Sequence, residues 1–375
     1  VLFAGESTKV RFISEEGFQV LPLHEPDPDM LLDNIRDNKL KFVSDREIEL
    51  MIDADIALFK ETKPDLVLTD FRFTAPVSTQ IANLKHSAIV NASSTEYRSL
   101  PYIPLFEWVP ELIVQRGATV WKALNKINLK LEMFIFDNVM NIFKKFSKQY
   151  HLKKTITATN CLTGNDITFL PDIPEYFPTR QLPSDYHYIG PLTWKGNIPP
   201  PSWWPPKRDK RPLLYVTMGT TGMEDVFQKL YEICQTSDMV AVITTGAQVQ
   251  HLKPLQGQIY VEPFIDGDLV MEECDLVVCH GGNGTIYQAL QHGKPIIGIP
   301  TVPDQLFNMR RVEALEIGKM LSREIFLRNP ASLLDMARSI LAKNSYHCNA
   351  SRLREILRTY NASETAADIL TKASS

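Results

Sequence analysis

Short runs that are apolar at nearly every position alternate along the chain with longer segments of helical spacing. In the first half such runs are Gly17-Phe18-Gln19-Val20-Leu21, Asp65-Leu66-Val67-Leu68-Thr69 and Ser87-Ala88-Ile89-Val90. In the second half they are Leu213–Thr217, Met239–Ile243, Leu276–Cys279 and Pro295–Ile299. A strand with one wet face alternates apolar and polar residues, whereas a strand covered on both faces is apolar throughout. The alternation of such strands with helices predicts an α/β protein with parallel sheets between helical layers. No internal repeat interrupts it.

One stretch does. From Trp194 to Pro212 the sequence reads WKGNIPPPSWWPPKRDKRP. Proline fixes φ and lacks a backbone N–H, so this is neither a central strand nor a helix interior. It reads as a semi-rigid linker. A length of 375 residues suits two domains. The expected division is an N-terminal domain over 1–192, a linker over 193–211, a C-terminal domain over 212–350 and a helical segment over 351–375. That last segment is a candidate to pack across the boundary.

A second irregularity is a helical insertion at about 111–154, with little strand character. It carries nine lysines and arginines against Glu111, Glu132 and Asp137, interleaved with apolar residues such as Leu131 and Phe134. A basic amphipathic surface of this kind suits a membrane surface or an acidic acceptor. A plainer reading, a helix whose lysines are simply solvated, is the usual case and is preferred here.

Composition adds mostly exclusions. Hydrophobic residues make up 44% and charged residues 22%, ordinary values for a globular protein. A formal net charge of −4 gives no overall attraction to nucleic acid. The five cysteines are scattered without metal-ligand spacing, which suits reduced thiols in a cytoplasmic protein, membrane-peripheral at most. No run of about 18 apolar residues predicts a spanning helix. The first residues lack the layout of a signal peptide.

The chemistry concentrates between Cys274 and Gly318. The strand Leu276–Cys279 runs into His280-Gly281-Gly282-Asn283-Gly284-Thr285, and a helical segment follows. Glycines let a backbone approach a ligand, and the free N–H groups of a helix start favour an anion. A second strand, Ile296–Ile299, runs into Pro300-Thr301-Val302-Pro303-Asp304-Gln305, with Asn308 beyond. A carboxylate beside an amide suits vicinal hydroxyls, which both donate and accept. A third turn, Met218-Gly219-Thr220-Thr221-Gly222, follows the first strand of this domain. In an open parallel sheet all three fall on the rim where ligands bind.

This stretch resembles the donor-binding signature of the UDP-glucuronosyl/UDP-glucosyltransferase superfamily, nucleotide-sugar glycosyltransferases of the GT-B fold. The resemblance extends over nearly the whole chain, including Gly190-Pro191-Leu192 before the linker. It implies two Rossmann-like domains facing each other across a cleft. It further implies that His280 and the turn from Gly281 to Thr285 hold the diphosphate, with Gly219 and Thr220 beside it. Asp304 and Gln305 would hold sugar hydroxyls. Where relatives place a tryptophan against the base, this chain has Phe264 in Pro263-Phe264-Ile265-Asp266. Where many have a glutamate on the ribose, it has Gln288, which loses the charge-assisted acceptor. A UDP-sugar is the first expectation for the donor and a dTDP-sugar the second.

The N-terminal half is less complete. Asp70 matches the aspartate that steadies the family's catalytic histidine; capping a turn is its alternative role. The histidine itself lies, in relatives, in a loop after the first strand. Here Val1-Leu2-Phe3-Ala4-Gly5 resembles the second strand, so the first strand and the base are expected to be missing. A gap in mid-sheet would follow. The expectation is a fragment or shortened form, completed by an upstream segment or a partner chain, that binds donor but transfers sugar poorly. His24 and His86 read as ordinary surface or loop residues, with His24 the first to test as a substitute base.

The implied reaction is inverting transfer to a hydroxyl of a lipophilic acceptor, with no cofactor and no metal. Aromatic residues such as Tyr97, Tyr102, Phe106 and Trp108 are candidate acceptor contacts. The rivals are a lipid-linked sugar transferase working on a membrane surface, an epimerase on the same scaffold, and a non-catalytic nucleotide-sugar-binding protein. A dehydrogenase is disfavoured because no G-x-G-x-x-G follows a strand with an acidic residue about 20 positions on.

Overall fold

A computed structural model describes residues 1–5, 10–37, 39–103, 119–193, 198–219, 223–247, 249 and 251–374. The chain divides into two compact units, Val1–Ile189 with Ser363–Ser375, and Gly190–Ala362. Both are built on parallel sheets between helices, as the apolar runs predict.

In the first unit, β3 (Leu66–Asp70), β4 (Lys85–Ile89), β5 (Ile167–Leu170) and β6 (Tyr186–Tyr188) form a parallel sheet in that order. Two earlier strands, β1 (Phe3–Ala4) and β2 (Val20–Leu21), pair among the described residues with each other alone, Phe3 opposite Val20 and Ala4 opposite Leu21. Among the described residues the strands of this unit therefore fall into two separate sheets. This leaves β3 at an edge, with Leu68 47% exposed and Phe71 just beyond it 54% exposed.

Helix α3 (Asp45–Thr62) begins where the Ser44 hydroxyl accepts from the Glu47 N–H. It buries Ile48, Met51, Ile52 and Asp55 on one face. Ile48 and Ile52 pack with Val77, Phe143 and Ile156 in the core of this unit. Asp55 is a carboxylate in that interior and would be costly there unpaired. Arg72 donates to its Oδ1 from Nε (3.0 Å) and Nη2 (2.8 Å), while Thr74 and Ser78 donate to its Oδ2 at 2.7 Å each. Helices α1 (Val10–Glu15) and α2 (Pro28–Arg36) precede α3, α4 (Ala75–Ala82) follows β3, and the insertion forms α5 (Thr119–Val139) and α6 (Ile142–Gln149).

The second unit has six parallel strands in the order β12-β11-β10-β7-β8-β9. They are β7 (Leu213–Thr217), β8 (Val240–Thr244), β9 (Ile259–Glu262), β10 (Leu276–Cys279), β11 (Ile296–Gly298) and β12 (Gly318–Met320). Every residue of β8, β10 and β11 is buried, which is why their runs carry no polar alternation. From β7 the chain adds β8 and β9 on one side, then crosses to place β10 on the other. The topological switch point lies between β7 and β10. The proline-rich segment before β7 is fastened to this unit: the Trp203 indole donates to Glu262 at 2.6 Å and stacks on Tyr260 at 4.6 Å.

Candidate functional site

The carboxyl ends of β7, β10 and β11 are adjacent, because Cys279 lies opposite Thr217 on one side and Gly298 on the other. Each strand is followed by a helix: α7 (Glu224–Gln235), α9 (Asn283–Gln291) and α10 (Pro303–Ala314). None of the three has a side-chain cap hydrogen bond at its start. Their first N–H groups carry partial positive charge and have no intrahelical partner. In α9 the first turn is Asn283-Gly284-Thr285, with no acidic residue to oppose an incoming anion.

His280 sits at the switch point, 9% exposed. It is wedged between Gly219, in left-handed backbone at φ 58°, and Gly282; a Cβ at either position would collide with the imidazole. These two glycines are therefore demanded by the histidine as much as by a ligand. Burial pushes the imidazole down to about 4, offset in part by the nearby Thr217 backbone. At neutral pH the ring is uncharged. Its Nδ1 is buried and has no hydrogen-bond partner among the described residues. A buried polar atom left unpaired is costly, and a bound ligand is one remedy.

Asp304 and Gln305 open α10 beside this turn. Gln305 is buried, and its Oε1 accepts from the Thr301 N–H at 2.8 Å and from the Thr301 hydroxyl at 3.1 Å. It shapes the turn from within. Asp304 is only half-buried and stands nearer the solvent-facing rim. A role for Asn308 is not evident from the sequence. Its side-chain amide donates to the Gly281 carbonyl at 3.0 Å and to Asp304 Oδ2 at 3.3 Å, tying the two polar turns together. Its spacing of one helical turn from Asp304 is the signal for this bond.

On the far side of α9, Phe264 lies 57% exposed after β9, while its neighbour Ile265 is buried. Gln288 donates to Asp268 Oδ1 at 3.0 Å, and His292 Nε2 meets the same oxygen at 3.0 Å. Thr220 lies outside the described residues.

In the first unit, Asp70 is exposed at the carboxyl end of β3. His86 is a core residue of β4, not a surface one. Its Nε2 meets the Thr69 hydroxyl at 2.9 Å, and its Nδ1 accepts from the Asn165 N–H at 3.3 Å. Burial, with the Lys154 charge second, pushes it down to about 3. Both ring nitrogens are committed. His24, in the loop after β2, is held differently: its Nε2 meets Glu47 Oε1 at 2.6 Å, and Arg72 Nη1 donates to its carbonyl at 2.8 Å. Among the described residues of this unit it is the histidine paired with a carboxylate.

Comparison with known proteins fits this geometry. Residues 229–370 match the family model of the erythromycin biosynthesis protein CIII-like C-terminal domain. A PGL/p-HBAD biosynthesis glycosyltransferase of Mycobacterium tuberculosis is 28% identical over 339 residues, 89% of this chain and 76% of the relative. A PGL/p-HBAD biosynthesis rhamnosyltransferase of Mycobacterium bovis is 28% identical over 317 residues, 84% of this chain and 68% of the relative. Among solved structures, the spinosyn rhamnosyltransferase complexed with thymidine diphosphate superposes with a TM-score of 0.69 at 14% identity, covering 99% of this chain and 92% of that one.

Proposed function

We propose that this chain is a GT-B nucleotide-sugar glycosyltransferase, and that it transfers a hexose from a pyrimidine-nucleoside diphosphate hexose to a hydroxyl of a lipophilic acceptor. The observation that carries the reading is His280, a buried neutral imidazole whose Nδ1 has no partner among the described residues, beside the start of α9, which has no side-chain cap bond. An imidazole N–H and the helix N–H groups are donors fixed in advance for diphosphate oxygens. Their stabilising effect grows as the anomeric C–O bond breaks and negative charge collects on the leaving diphosphate. The acceptor oxygen attacks the opposite face of the anomeric carbon, so the configuration inverts, and its proton passes to a base.

Thymidine diphosphate is the preferred carrier in this reading. With Gln288 where many relatives have a glutamate, and its amide donating to Asp268, position 288 itself offers a ribose diol no charged acceptor. A 2′-deoxyribose loses least from that. For the base we assign His24, whose Glu47 partner would hold the ring and stabilise the imidazolium.

Calorimetry with thymidine and uridine diphosphates tests the donor site, and transfer of labelled sugar to a panel of phenols and long-chain alcohols tests the reaction. Thymidine diphosphate should bind more tightly than uridine diphosphate; failure of both to bind refutes the reading. His24→Gln should cut transfer about 100-fold, the ordinary contribution of a general base, while leaving nucleotide affinity unchanged. Undiminished transfer in that variant removes His24 from the mechanism.

A further inference from the structure

Helix α5 presents an unexpected outer face. Ile127, Leu131 and Phe134 recur at helical spacing and are 59%, 45% and 67% exposed. Lys126 and Lys130 are exposed beside them. The acidic residues of the same helix point the other way. Glu132 receives the Arg98 guanidinium at 2.5 Å and the backbone N–H groups of Tyr102 (3.2 Å) and Ile103 (2.9 Å). Asp137 accepts from the Thr159 N–H and hydroxyl at 3.0 and 3.1 Å and lies 3.9 Å from Lys144. Both carboxylates are thus occupied inside the unit. The plain solvated-helix reading of this segment predicts lysines outward and apolar residues inward; the structure turns large apolar side chains outward together with the lysines.

A helix face that combines exposed Ile, Leu and Phe with cations and no acid matches the chemistry of one surface in particular. In the interfacial zone of an anionic bilayer, apolar side chains reach the acyl boundary and lysines meet headgroup phosphates. We propose that the outer face of α5 docks this protein reversibly on anionic lipid membranes. Water alone gives such side chains no stabilisation, and an acidic protein partner would match the lysines but not Phe134. The inference does not depend on the donor assignment, since it rests on α5 alone. It adds a means of meeting an acceptor that partitions into lipid.

The test is co-sedimentation with sucrose-loaded vesicles, either phosphatidylcholine alone or phosphatidylcholine mixed with phosphatidylglycerol, at low and high salt. Binding should be confined largely to the mixed vesicles and weaken with salt. Phe134→Asp should reduce it at least roughly tenfold, as expected for placing a charge at the boundary. The pair Lys126→Glu and Lys130→Glu should abolish the preference for phosphatidylglycerol. Thermal unfolding and nucleotide affinity, measured alongside, should match the unaltered protein, because all three side chains are exposed. No vesicle binding, or binding that Phe134→Asp leaves intact, overturns the proposal. So does a protein that binds no vesicles but forms dimers in sedimentation equilibrium that Phe134→Asp dissolves, since the face would then serve self-association.

Discussion

At the scale of single residues, His280 is where the proposed donor site is most directly tested. Removing it in His280→Ala should weaken thymidine diphosphate binding by the ~1.5–3 kcal/mol expected of a hydrogen bond to a charged group. Calorimetry showing unaltered affinity sinks the assignment. The same residue makes stability depend on pH in a defined direction. Its folded value of about 4 lies below the ordinary 6.5, so as pH falls the unfolded chain takes up the proton first. The stabilisation is complete above 6.5 and declines as pH drops toward 4. Between pH 7 and pH 5 the loss attributable to His280 is about 2 kcal/mol. His86, lowered to about 3, adds a loss of the same sign in the first unit. Urea titrations at the two pH values check this, and His280→Phe should flatten the dependence in the second unit. An unchanged slope in that variant argues against a buried neutral imidazole.

Among the elements, the turns after β10 and β11 divide the labour of the site. Asp304 faces the rim and Gln305 is turned inward to hold Thr301. Asp304→Ala should therefore weaken binding of the nucleotide sugar while sparing the free nucleotide. Gln305→Ala should weaken both and lower the melting temperature, because the turn loses the acceptor of the Thr301 N–H. Calorimetry with the two ligands and a thermal melt separates these outcomes; identical behaviour of the variants contradicts the division. Much of this was legible in advance, since fully buried strands such as Leu276–Cys279 leave an unbroken apolar run. Short strands were less so: Tyr186–Tyr188 and Gly318–Met320 lie at sheet edges and have no apolar run to mark them. Asn308, too, could be seen but not interpreted, since its bond to Gly281 joins positions far apart in sequence. The outward turn of α5 was hidden for a related reason. Sequence displays which charges a helix carries, while the sites that capture Glu132 and Asp137 are made by Arg98 and Thr159 in other segments.

For the whole molecule, the feature with the widest consequence is the edge strand of the four-stranded sheet in the first unit. Along its outer side, among the described residues, β3 runs from Leu66 to Thr69 without a bulge, a proline or a charged residue, with Asp70 the one charge at its end. An edge of that kind is a template, and any extended apolar segment that reaches it is a copy waiting to be templated. In solution the nearest such segment belongs to another molecule of the same protein. Loss of dispersed protein on storage should accordingly rise faster than in proportion to concentration, and light scattering over a dilution series measures this. Leu68→Lys, an exposed change, should slow that loss severalfold without altering nucleotide affinity. If the rate proves independent of both concentration and residue 68, the edge is guarded by something else. Shelf life, for this protein, is a property of one exposed strand.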